Sequence, residues 1–181
     1  MIGSTAARSR ALLKHWEEVV KHLGACRGLN LRRSSRLNFL TKRRAPLATA
    51  VAGFPADRLD AITMQAESGG RRYGRDGGLL RSPVGAMGEM QVMPATARDP
   101  GFGIRPWDGR SPDDLARVGR DYRRTMEKRY GGDPAKMWAA YNWGPGALDN
   151  AIKRYGDRWL DYAPAETRNY VRGNLRRLRG N

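Results

Sequence analysis

The stretch FPADRLDAITMQAESGG, residues 54–70, reads as one complete helix whose start and stop are both written in the sequence. Pro55 and Asp57 stand where a helix begins, Leu59, Ile62 and Ala66 share one face, and Gly69 with Gly70 ends it. Glu67 therefore falls in the last turn. There the negative end of the helix dipole disfavours an ionised carboxylate, and apolar neighbours would push its pKa the same way. A carboxyl that keeps its proton near neutral pH is what a general acid needs. The plainer alternative is a solvated helix-end charge.

The rest of the chain beyond Gly53 follows the same helical grammar. Ser111, Pro112 and Asp114 make a capped start, Leu115, Val118, Tyr122, Met126 and Tyr130 continue an apolar stripe, and Gly131 with Gly132 stops it. Asp133 and Pro134 open the next helix at once. The segment ETRNYVRGNLRRLR, residues 166–179, is a last helix with Val171, Leu175 and Leu178 facing inward. The fold class is mostly α. Between the first and second of these helices, residues 69–110 are Gly-rich without clean periodicity, and a loop of that length inside a domain is commonly functional.

The 181 residues, 40% of them apolar, suffice for one ordinary domain plus an appendage. The formal charge of +16 points to a polyanionic partner such as nucleic acid, an anionic membrane surface or an acidic wall polymer. The charge is uneven. Residues 1–53 hold 11 Lys/Arg against 2 Glu, whereas residues 54–181 hold 23 Lys/Arg against 16 Asp/Glu. The division predicts a basic N-terminal extension, 1–53, and a second domain over 54–181. Within the extension Leu12, Leu13, Trp16, Val19, Val20 and Leu23 predict an amphipathic helix, and LRRSSRLNFLTKRR, residues 31–44, is an acid-free arm.

Three further motifs follow Glu67 and Ser68 in order. GAMGEMQVMP, residues 85–94, sets Met90 and Gln91 after glycines, where backbone can approach a ligand closely. AAYNWGPG, residues 139–146, sets Tyr141 and Asn142 where a helix breaks, and AETRNYV, residues 165–171, sets Tyr170 inside the last helix. The series E-S, G-x-M-Q, A-Y-N and E-T-R-x-Y resembles the soluble-type lytic transglycosylases of the lysozyme-like superfamily, over about residues 55 to 178. The longer form SPVGAMGEMQVMPATA is similar to the bacteriophage-associated branch.

That resemblance implies a lysozyme-like (goose-type/transglycosylase) helical domain, acting as a monomer on the peptidoglycan glycan strand without a cofactor. Glu67 would protonate the oxygen between N-acetylmuramic acid and N-acetylglucosamine, then take the muramoyl C6 hydroxyl proton as a 1,6-anhydro ring closes. Ser68 would orient the acid or touch the sugar. Met90, Gln91 and Tyr141 would line the cleft, Asn142 would hydrogen-bond substrate, and Tyr170 would hold Glu67. Met90 and Tyr141 also suit plain core packing, and Trp138 and Trp143 suit either core or sugar stacking.

One departure from the family pattern matters. The second position of G-x-M-Q is often apolar, and here it is Glu89, a possible second acid. Hydrolysis by inversion needs a base opposite the acid, so Glu89, with Asp76 and Asp99 as other candidates, keeps a muramidase reading open. A basic structural or DNA-binding virion protein on an inactive fold is the third reading; the arm's few aromatics and the lack of a nucleic-acid motif argue against it.

No metal site is expected. His15 and His22 have no cysteine pair or carboxylate cluster at ligand spacing, and the lone Cys26 cannot form an internal disulfide. No signal-like run follows Met1 and no run is long enough to span a bilayer. The protein is accordingly expected to reach the periplasmic wall by holin release, virion injection or another secretion route. Residues 1–53 are expected to hold the anionic outer membrane or wall electrostatically.

Overall fold

In the computed structural model, which describes residues 56–180, seven α-helices and one 3-10 turn follow in order. They are α1 (Ala56–Ser68), α2 (Pro94–Arg98), α3 (Pro112–Arg129), α4 (Pro134–Trp143), α5 (Pro145–Tyr155), the turn Gly156–Arg158, α6 (Trp159–Tyr162) and α7 (Ala165–Arg179). The helix expected over Leu12 to Leu23 and the basic arm lie outside the described residues. Among the described residues no helix is long and apolar enough to cross a membrane.

The expected boundaries have visible causes. The α1 helix ends because Gly69 and Gly70 turn left-handed, at φ 67° and 76°, and their N–H groups close on the carbonyls of Gln65 and Met64. The Ser111 hydroxyl caps α3 by accepting from Asp114 N, while Asp113 and Asp114 face the positive end of the helix dipole and Lys128 and Arg129 the negative end. Asp133 caps α4 by accepting from the N–H groups of Ala135 and Lys136.

The core is built around α4, which packs against α3, α5 and α7. Its residues Met137, Trp138, Ala139 and Ala140 are all fully buried, so this helix is hidden on every side. Trp138 donates Nε1–H to Thr63 Oγ1 at 3.0 Å, joining α4 to the catalytic-candidate helix α1. That burial settles Trp138 as core and removes it from sugar stacking. A second tie is ionic. Arg123 of α3, 0% exposed, donates Nε–H to Asp60 Oδ1 of α1 at 2.5 Å and Nη1–H to Glu127 at 2.8 Å, and Arg124 reaches the other Asp60 oxygen at 3.0 Å.

Residues 69–110 form the second lobe. Their backbone pairs only in isolated bridges, Tyr73 with Leu79 and Met87 with both Arg81 and Val92, before the short helix α2. A small apolar core of Met87, Met90, Val92, Ala97, Leu115 and Val118 fastens this lobe to α3. The closest approach is at Gly119, where an added Cβ would stand 2.5 Å from Met90 Cβ and 2.9 Å from its Cγ. Gly119→Ala is therefore expected to destabilise the domain by about 1–3 kcal/mol, since the clash exceeds the gain in helix propensity. Urea unfolding measures it; a variant as stable as the parent would show that the lobe contact is looser than described.

Two parts of the helical reading needed the structure. The sequence expectation stopped at the Gly-Pro-Gly turn, yet Gly144, at φ 91°, ends α4 and Pro145 opens α5 directly. Leu175, expected inside, is only half-buried.

Candidate active site

Glu67 sits in the last turn of α1, at the base of a cleft between the helices and the 69–110 lobe. The lobe contributes Ser82, Gln91 and Thr96 to the walls, and the helical side contributes Tyr122, Tyr141, Asn142 and Glu166. Tyr170, on α7, donates its hydroxyl to Glu67 Oε1 at 2.6 Å.

Burial raises the Glu67 carboxyl from its ordinary range to about 7, opposed by the Tyr170 hydrogen bond and aided by the negative charge of Glu166. The same burial, together with the Glu67 charge, lifts the Tyr170 phenol well above its usual value. Tyr170 thus remains a donor, and Glu67 exchanges its proton near neutrality. These are the electrostatics of a reusable acid and base.

The neighbouring side chains are held by specific bonds. Asn142 Oδ1 accepts from Thr167 Oγ1 at 2.9 Å, which fixes the amide at the end of α4. Gln91 adopts a left-handed backbone, φ 47°, and donates Nε2–H to Gly88 O at 2.8 Å. A non-glycine residue in that region is strained, and strain of this kind gathers at sites where the side chain must point one way. Tyr141 donates its hydroxyl to Met90 O at 2.8 Å, so one residue both lines the cleft and pins the lobe.

Of the residues selected from sequence, Glu67, Gln91, Tyr141 and Asn142 line one cleft, and Tyr170 bonds Glu67. Three others are placed elsewhere. Met90 is buried in the small core. Ser68 is buried with its hydroxyl donating to Glu89 O at 2.9 Å, the Met64 carbonyl lying within reach at 3.2 Å, so it ties the helix end to the lobe.

Glu89 is the third. It is buried and gripped from both oxygens by Arg72, at 2.9 Å and 2.8 Å, which leaves it neutralised outside the cleft lining. Arg72 reaches Asp113 at 2.5 Å as well, so the acid at the unusual motif position belongs to a clamp between the lobe and α3. Asp76 and Asp99 accept from backbone N–H groups of their own exposed turns. The carboxylate that does share the cleft with Glu67 is Glu166. Sequence reading named neither it nor Thr167, although both stand in the ETRNY segment that supplied Tyr170. Among the described residues no group of three His, Cys, Asp or Glu side chains could hold a metal ion.

A helical domain with a carboxyl raised by burial and held by a tyrosine hydroxyl, in a cleft lined by both apolar and polar groups, is an arrangement suited to general acid chemistry. Residues 54–161 match the family model of the transglycosylase SLT domain, and the chain belongs to that family. It is 31% identical over 109 residues to the soluble lytic murein transglycosylase of Escherichia coli (strain K12) and 32% identical over 108 residues to that of Salmonella typhimurium. Each alignment covers 53% of this chain but 17% of the relative, so the chain spans about a sixth of those proteins.

The solved structures agree in fold. The lytic transglycosylase Slt of Pseudomonas aeruginosa, in an inactive mutant form, gives a TM-score of 0.53 at 30% identity over 65% of this chain and 20% of that one. The 70 kDa soluble lytic transglycosylase of Escherichia coli gives 0.55 at 27% identity over 74% and 23%. The expected lysozyme-like, mostly helical fold is the one observed.

Proposed function

We propose that this chain is a peptidoglycan lytic transglycosylase that cleaves the β-1,4 bond between N-acetylmuramic acid and N-acetylglucosamine and leaves 1,6-anhydromuramoyl ends. The observation that carries the reading is the Glu67 carboxyl, raised to about 7 and held by the Tyr170 hydroxyl at the base of the cleft. In the first step Glu67 gives its proton to the glycosidic oxygen as the C1–O bond breaks, and the N-acetylglucosamine hydroxyl leaves. The Glu67 carboxylate then removes the proton of the muramoyl C6 hydroxyl, whose oxygen bonds to C1. The acid is restored and no water is consumed. One carboxyl suffices because the nucleophile belongs to the substrate. Gln91 and Asn142 supply hydrogen bonds that orient the strand.

Hydrolysis is the second reading, favoured by Glu166, the other carboxylate lining the cleft. Mass spectrometry of muropeptides released from purified peptidoglycan separates the two. Anhydro ends are expected from the parent protein and equally from Glu89→Gln and Glu166→Gln. Reducing muramic ends that vanish in Glu166→Gln would make that residue the base of a muramidase.

A bacteriophage role in lysis or entry is supported by the SPVGAMGEMQVMPATA form, and attachment to an anionic envelope by the charge of residues 1–53.

A further inference from the structure

Phe102 is held where neither burial nor backbone preference explains it. It stands at the tip of the turn after α2, 52% exposed, with a left-handed backbone at φ 54° between Gly101 at 66° and Gly103 at 72°. The turn is closed by Ile104 N–H on Gly101 O at 2.9 Å and by Gly101 N–H on the Asp99 carboxylate. Glycine or asparagine suits such a position without strain, whereas a bulky side chain there is an outlier. The strain also places an aromatic ring in water, so it gains little from burial.

The ring is nonetheless fixed. Its edge meets Tyr122, 6.1 Å between centroids at 66°, and the Arg129 guanidinium lies 6.0 Å from its centroid while bonded to Asp149 at 2.7 Å. Tyr122 in turn meets Tyr141 edge-on, 5.9 Å between centroids, and both tyrosines line the cleft that holds Glu67. Three rings therefore run from beside the candidate acid to the surface, and the last is presented to solvent on a rigid turn.

We infer that Phe102 is an outlying sugar-binding platform, on which an N-acetylhexosamine ring of the glycan strand stacks at a distance from the cleaved bond. The apolar C–H face of a pyranose fits an exposed ring fixed on a scaffold, and the ring packs on Tyr122, which with Tyr141 lines the cleft. The inference rests on the glycan-cleft reading above. Its consequence is length selectivity: long strands reach Phe102 and short fragments do not.

The test measures binding calorimetrically in the cleavage-deficient Glu67→Gln background, with peptidoglycan glycan strands and with a short muropeptide. Adding Phe102→Ala is expected to weaken long-strand binding about threefold to tenfold, the range of one aromatic contact, and to leave the short ligand unchanged. Phe102→Trp should retain long-strand binding. Phe102→Gly should unfold no earlier than the parent, because glycine relieves the turn, yet bind long strands as poorly as Phe102→Ala. Unchanged long-strand binding in Phe102→Ala would overturn the inference, as would equal losses on both ligands or a destabilised glycine variant, which would mark Phe102 as a packing residue. If Glu67→Gln with Phe102 intact binds neither ligand, the glycan-cleft reading itself fails and takes this inference with it.

Discussion

Glu67→Gln is expected to lower release of soluble muropeptides from purified peptidoglycan on the order of 10³- to 10⁴-fold, because in the proposed mechanism one carboxyl serves as both acid and base. The substitution keeps the shape of the site and can still accept from the Tyr170 hydroxyl, so the loss reports the proton rather than the packing. In the parent, kcat/KM should fall as pH rises through about 7, where the acid is lost. Stability moves with the same group. The folded carboxyl, at about 7, sits above its unfolded value of 4.5, so the native state binds the extra proton and its stability declines between those two pH values. Glutamine cannot ionise. The variant should therefore match the parent below pH 4.5 and exceed it at pH 8 by about 1–2 kcal/mol, discounted for the part of Glu67 that water reaches. An active variant, or one that is less stable at pH 8, would count against the assignment.

The second large effect concerns the buried ionic tie behind the site. Asp60→Ala leaves the fully buried Arg123 guanidinium without its partner on α1, and removing one member of a buried pair typically costs several kcal/mol. Glu127 continues to hold the other end of Arg123, so the expected loss is about 2–4 kcal/mol in chemical unfolding followed by circular dichroism. Asp60→Asn should lose less, because an amide oxygen still accepts from Nε–H. If Asp60→Ala changed stability by less than about 1 kcal/mol, α1 would be fastened to α3 by packing alone.

How far the sequence foretold this site depends on what its patterns encode. Caps and left-handed glycines are local, so Gly69, Ser111, Asp133 and Gly131 announced helix ends that the structure shows. The order of the motifs conveyed that Glu67, Gln91, Asn142 and Tyr170 belong to one constellation. Direction was not legible. Whether Met90 faces a ligand or the core depends on Gly119, 29 residues away, and whether Glu89 is a free acid depends on Arg72 and Asp113. Nor does a short motif disclose its other members: Glu166 and Thr167 stand within the same motif as Tyr170, but their roles require α4 and α1 to be brought alongside. The isolated bridges of residues 69–110 left no period to read, because single backbone pairs impose no alternation.

In the proposed reaction Glu67 promotes closure of an intramolecular ring without admitting water. Digestion of purified peptidoglycan in heavy-oxygen water, followed by mass spectrometry of the muropeptides, separates ring closure from hydrolysis. Transglycosylation predicts anhydro ends that carry none of the heavy isotope. Heavy oxygen at the muramic reducing end would contradict the account, for it would show that water, and not the substrate's own hydroxyl, attacks C1.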